Sequence, residues 1–153
     1  MIVETMLTEN KMNIILIGSI NKQDSKNIFD FEKRKAFILK SLPHTDSLKI
    51  YGIPDFSTDT EWLETLLTIP EIQQAKDIIL YCGDKENDYA VQAISTQKDI
   101  FQGKTLTIHE ISRDILPISG TQVRENISLK NIKKLQESIP KNVFEDITKD
   151  IKI

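Results

Sequence analysis

The sequence predicts an α/β domain built on a parallel sheet with helices on both faces. Short apolar runs rich in β-branched residues alternate with amphipathic stretches, which is the pattern of strands joined by crossover helices. Two of the runs, "MNIILIGSI" and "DIILYCGDK", are apolar nearly throughout and break at Gly18 and Gly83, as buried parallel strands do on opening into a loop. The small, polar and charged residues of interest fall just after the strands, where ligands of such sheets bind.

Taken in order, "MNIILIGSI" is a central strand, and "DFEKRKAFILKSL" is a covering helix with Asp30 as its cap and Pro43 as its stop. "LKIYGIPDF" is a second extended segment ended by Pro54, and "DTEWLETLLTI" is a short amphipathic helix halted before Pro70. "DIILYCGDK" and "KTLTIHEI" are the third and fourth strands. "LKNIKKLQESI" and "KNVFEDITKDIKI" are terminal helices parted by Pro140.

At 153 residues the chain makes one domain, 1–153, long enough to bury a core without staples. A formal net charge of -3 gives no electrostatic reason to expect nucleic acid or an acidic membrane as partner. Cys82 is the only cysteine, which excludes an internal disulfide and a thiolate zinc cluster. The start "MIVETMLTENK" lacks a signal peptide's basic and apolar regions, and no run is long enough to span a membrane, so a cytoplasmic setting is expected.

The densest chemistry is "ILPISGTQVREN", residues 115–126. Pro117 and Ile118 close an extended segment, Ser119 or Thr121 can cap a helix, and the amides of 120–123 should stand free at its start. Free amides and hydroxyls there suit a phosphate, and Gly120 lets it approach without a Cβ in the way. Arg124, one turn on, can lay a planar, permanent charge over the same place. The residues alone fit equally a plain capped helix with a surface arginine. Gly18-Ser19, Pro54-Asp55 and Gly83-Asp84-Lys85 also follow strands and should crowd the same sheet edge.

From about residue 13 to about 145 the chain resembles the nucleotidyltransferases with a Rossmann-like core, and among them the nicotinamide-nucleotide adenylyltransferases of the archaeal and bifunctional bacterial types. "ISGTQVR" is similar to the family's I-S-[GSA]-T-x-[IV]-R signature, which implies that Ser119, Gly120, Thr121 and Arg124 hold the triphosphate of ATP and the departing pyrophosphate. "LIGSINKQDSKNIFDFEKRKAFI" resembles the loop after the family's second strand through Gly18, Ser19, Asn27, Phe29 and Arg34, with Ile28 in place of a proline and Lys33 in place of an acid. "IPDFSTDTEWLETL" is similar to the segment whose tryptophan stacks on nicotinamide, implying that Trp62 is a ring platform with Asp55 as its polar neighbour. "YCGDKENDYAV" resembles a G-x-x-K-D-x-x-x-Y loop, implying that Gly83 and Lys85 lie near substrate. Without the resemblance Trp62 and Tyr89 read as core aromatics, Arg34 as a solvated helix charge and "DKEND" as a turn.

The resemblance implies adenylyl transfer from ATP to nicotinamide mononucleotide, with Mg²⁺ carried by ATP and no protein metal ligands assigned. One part of the pattern is missing. The family's first strand ends in a loop carrying H-x-G-H, and no H-x-G-H occurs here; the two histidines, His44 and His109, stand elsewhere. "MIVETMLTENKMNIILIGS" aligns instead with the helix after that loop and then the second strand. A Rossmann-like sheet lacking its first, central strand is therefore expected, with an open apolar edge that invites pairing with a second copy or a complementing N-terminal fragment. No catalytic residue is assigned, and little or no activity is expected from the chain alone. The alternatives are a non-catalytic nucleotide-binding remnant or subunit, or a related transferase acting on phosphopantetheine, a flavin or a cytidylyl acceptor.

Overall fold

A computed structural model describes residues 2–111 and 119–151. The extended segment expected at 115–118 and the last two residues of the terminal helix expected to 153 lie outside the described residues.

The chain begins with helix α1 (Ile2–Glu9), then strand β1 (Asn13–Ile17), helix α2 (Phe31–Ser41) and strand β2 (Leu48–Gly52). Helices α3 (Asp59–Leu67) and α4 (Pro70–Gln74) lead to strand β3 (Asp77–Cys82), and α5 (Tyr89–Thr96) with a 3-10 turn (Lys98–Phe101) leads to β4 (Thr105–Glu110). Three helices close the chain: α6 (Gly120–Ser128), α7 (Ile132–Ser138) and α8 (Lys141–Asp150). The helix starts follow local capping chemistry. Asp30, Thr58, Asp88 and Asn131 each accept a hydrogen bond from an amide three residues on, satisfying a donor that the first turn leaves without a helical partner.

The α/β class with parallel strands is as expected; a single continuous sheet is not found among the described residues. β1 pairs with β2 and β3 pairs with β4, both parallel, as two two-stranded sheets. They share one hydrophobic cluster. Leu63, Leu66, Ile69, Ile72, Ile94 and Phe101 form its buried centre, and Ile14 and Leu16 of β1, Tyr51 of β2, Ile78 and Leu80 of β3 and Leu106 of β4 pack against it. Both sheets thus lie on the layer made by α3, α4 and α5. α1 packs on β3 and α2 on β1, so helical contacts are not confined to that layer.

A second cluster lies in the C-terminal helices. Leu135, Ile139, Val143 and Ile147 are its buried members, with Phe29, Phe37, Val123 and Ile127 against them. α2 reaches this cluster through Phe37, which meets Phe29 edge-on at 5.1 Å between ring centroids. Lys33 to Asp150 and Lys40 to Asp146 add ion pairs between α2 and α8 at 3.0 and 2.5 Å. Among the described residues no helix is long and apolar enough to cross a membrane.

Candidate functional site

A cavity of 740 Å³ opens at the carboxyl ends of β1, β2 and β3, lined by Gly18, Lys22, Asp55, Trp62, Asp88 and Tyr89 among others. The loop after β1 is held in a specific shape. Ser19 has φ 54°, in the left-handed region that non-glycine residues seldom enter, and its hydroxyl donates to Asp55 Oδ1 at 2.8 Å. Arg34 secures the same loop from behind, its guanidinium donating to the carbonyls of Gly18 at 2.8 Å and Ser19 at 3.4 Å. Asn21 Oδ1 accepts from the Asp55 amide at 3.0 Å.

Asp55 also meets Lys22 Nζ at 2.6 Å. The hydrogen bond from Lys22 first, and that from Ser19 second, hold the Asp55 carboxyl below the usual aspartate range, while Asp55 raises the Lys22 ammonium above its ordinary value. At neutral pH the loop end carries a fixed pair of opposite charges. Trp62, also in the lining, meets Tyr89 edge-on, ring centroids 5.9 Å apart and planes at 74°. Tyr89 is anchored by its hydroxyl, which donates to Asp59 Oδ1 at 2.5 Å, and that bond is the main cause of its raised pKa. The same cavity is thus lined by an aromatic pair and an ion pair, which suits a ligand with a flat ring and a charged tail.

The second candidate group lies at the start of α6. Ser119 is the N-cap, accepting from the Gln122 amide while Gln122 Oε1 accepts from the Ser119 amide, a reciprocal capping box. Of the amides 120–123 expected to stand free, two are engaged: Gln122 by Ser119 Oγ and Val123 by the Ser119 carbonyl. The amides of Gly120 and Thr121 have no partner among the described residues. Arg124 folds back over them, donating to Thr121 Oγ1 at 3.0 Å, and a Cβ on Gly120 would stand 3.1 Å from Arg124 Nη1. Gly120 is what lets the guanidinium lie there. The link to the first group is α2: Phe37 packs in the cluster that includes Val123 of α6, and Arg34, one helical turn away, grips the loop after β1.

The sequence-predicted residues divide accordingly. Gly18, Ser19, Asp55 and Trp62 come together at the cavity, and Ser119, Gly120, Thr121 and Arg124 at the start of α6. Arg34 is spent on backbone carbonyls. Asn27 closes a turn on Asp24, and Phe29 is a member of the C-terminal cluster. The Lys85 amide donates to Glu110 Oε1, and neither Lys85 nor Gly83 lines the cavity. Lys22 was not singled out in the sequence, where "INKQD" carries no recognisable spacing. His44 is exposed in the turn before β2, and His109 lies against Tyr81 with ring centroids 5.0 Å apart; neither lines the cavity. Among the described residues no three His, Cys, Asp or Glu side chains group as metal ligands. No protein-family model matches the chain, and no curated protein is detectably similar to it.

Proposed function

We propose that the chain is a nucleotide-binding protein of the nucleotidyltransferase type, taking the phosphates of ATP at the start of α6 and a nicotinamide mononucleotide in the cavity beside Trp62. The observation that carries the reading is Arg124 folded over Gly120 and bonded to Thr121, beside two amides without partners among the described residues. Amides and a guanidinium side by side suit a phosphate better than a neutral group. The aromatic pair Trp62 and Tyr89 supplies the ring wall. A Rossmann-like core is part of the same proposal, supported by two parallel strand pairs that share one hydrophobic cluster.

In adenylyl transfer the mononucleotide's phosphate oxygen attacks the α-phosphorus of ATP, the bond to the β-phosphate oxygen breaks, and pyrophosphate leaves. Mg²⁺ bound to the phosphates supplies charge neutralisation and alignment. This chain's part is to bind and orient: Arg124 and the α6 amides hold the phosphates, and Trp62 positions the base. Neither His44 nor His109 lines the cavity, and slow or absent transfer by residues 1–153 is part of the proposal.

Titration calorimetry with ATP, pyrophosphate and nicotinamide mononucleotide, followed by an assay for dinucleotide and released pyrophosphate, tests the reading. Weak binding of all three with little or no turnover is expected. Failure of both ATP and pyrophosphate to bind at millimolar concentration would sink it. Robust turnover would refute the inactive form and direct attention to His44 and His109.

A further inference from the structure

The turn between α6 and α7 is fixed by its own backbone. The Leu129 amide reaches the Glu125 carbonyl at 2.9 Å, the Lys130 amide that of Ile127 at 3.0 Å and the Asn131 amide that of Asn126 at 2.9 Å, the pattern that closes a helix on a left-handed residue. That residue is Lys130, with φ 52°, where glycine or asparagine would enter at lower cost. Asn131 then caps α7, and behind the turn Ile127 and Leu135 belong to the C-terminal cluster, which anchors it from the inside.

This fixed turn presents apolar surface and charge together. Leu129 is 76 % exposed, the most of the large hydrophobic side chains among the described residues, and Ile132 is 46 % exposed. Lys130, Lys133 and Lys134 stand exposed beside them, and residues 128–134 contain no acid. Among the described residues none of the three ammonium groups has a carboxylate within 4.0 Å. The formal net charge of -3 averages over this turn, whereas a charged surface at physiological salt senses groups within about 8 Å.

We infer that the α6–α7 turn is a membrane-docking surface, with Leu129 and Ile132 entering the headgroup boundary of a bilayer and Lys130, Lys133 and Lys134 meeting anionic phospholipid. The occupant follows from what both kinds of side chain need. A polynucleotide would use the lysines and leave the aliphatic side chains in water, and residues 128–134 hold no ring to stack on a base. A stable protein interface takes about 800 Å² from each partner, far more than two projecting side chains offer. A second copy meeting the same surface would set lysines against lysines. A bilayer containing anionic lipid satisfies both at once. Each lysine is worth about fivefold in affinity for such a surface, so three of them with two aliphatic side chains give weak, reversible attachment.

The inference goes beyond nucleotide binding. α6 runs from its cap at Ser119 to its cap at Leu129, so the Arg124 cradle and the docking surface belong to opposite ends of one helix, and the test involves no nucleotide. The full chain is sedimented with vesicles of phosphatidylcholine containing about one-third phosphatidylserine, and with vesicles of phosphatidylcholine alone. Binding to the first should be at least tenfold tighter and should weaken as salt rises. Leu129→Ser combined with Ile132→Ser should lower it at least tenfold, as should Lys130→Gln, Lys133→Gln and Lys134→Gln together. Both variants change exposed side chains only, so each should melt as the parent does. No binding to phosphatidylserine vesicles, or equal binding to the two compositions, would overturn the inference. So would binding that the serine pair leaves unchanged, which would mark a bare basic patch open to polynucleotide or acidic peptide. A dimer of the chain that the serine pair disperses would also overturn it, and would give the surface to a second copy.

Discussion

Ser19 and Asp55 join the ends of two neighbouring strands: the Ser19 hydroxyl, held out by a left-handed backbone, donates to the Asp55 carboxylate at 2.8 Å, and Lys22 closes on that carboxylate from the other side at 2.6 Å. The carboxylate is the common acceptor, so both contacts depend on its charge.

That arrangement sets a pH dependence. Because Lys22 and Ser19 depress the folded pKa of Asp55, its contribution to stability is full above the ordinary aspartate value of about 3.9 and is lost as pH falls through the lower folded value. Asp55→Asn should lower the melting temperature at neutral pH by a small margin, since the pair is exposed, and the difference from the parent should shrink below about pH 4. Thermal melts from pH 2 to 7 check this. A difference that stays constant with pH would contradict it.

Gly52 and Gly18 should respond oppositely to alanine. A Cβ on Gly52 would come within 2.8 Å of Ile20 Cγ2 and 2.9 Å of the Phe31 ring, whereas one on Gly18 would meet nothing within 4 Å. Gly52→Ala is expected to cost about 1–3 kcal/mol through overpacking, and Gly18→Ala no more than about 0.5 kcal/mol. Urea unfolding of the two variants decides it.

Arg124→Ala should weaken ATP and pyrophosphate by about 1–3 kcal/mol, the range for losing a charged hydrogen bond. Calorimetry reads it directly. Because Arg124 is also bonded to Thr121, Arg124→Lys is the sharper variant: it keeps the charge and loses the fork, so an affinity between those of parent and alanine is expected. Equal affinity in all three would remove the start of α6 from the site.

Trp62 is the only tryptophan, so its fluorescence reports its surroundings without interference. Nicotinamide mononucleotide should quench it. Tyr89→Leu, which removes the edge contact, should weaken the mononucleotide by about 0.5–1.5 kcal/mol, the scale of an aromatic pair. Quenching by ATP and none by the mononucleotide would assign the cavity to the wrong ligand.

Much of the fold could be read from the sequence because the signals were local. The four apolar runs, Asp30 as cap of α2 and a cap of α6 at Ser119 or Thr121, which the structure gives to Ser119, each depend on a few adjacent residues. α4 went unread since Pro70 looked like a terminator; it ends α3 and also opens the next helix, where its missing N–H costs nothing. α5 was hidden behind the polar stretch "DKEND", whose Asp88 is the cap of the helix that follows. The site was legible by residue type and less so by role. Arg34 and Phe29 were read as ligand contacts, but whether a guanidinium meets a ligand or the carbonyls of Gly18 and Ser19 depends on how a distant loop turns, and that turn rests on the positive φ of Ser19. Lys22 acquires its place only through that same turn.

The two hydrophobic clusters have a consequence for how the molecule comes apart. One is centred on Leu63 beneath the strands and the other on Leu135 among α6, α7 and α8, with α2 spanning from β1 to the second. Separate apolar centres tend to behave as separate cooperative units, each with its own opening free energy. The three C-terminal helices, α6 to α8, can then detach as a block, through loss of the Phe37 and Lys40 contacts, while the strands stay folded. The Arg124 cradle travels with that block. An anion bound there would stabilise the block against its own unfolding, and the same ligand would leave the opening of the strand region unchanged.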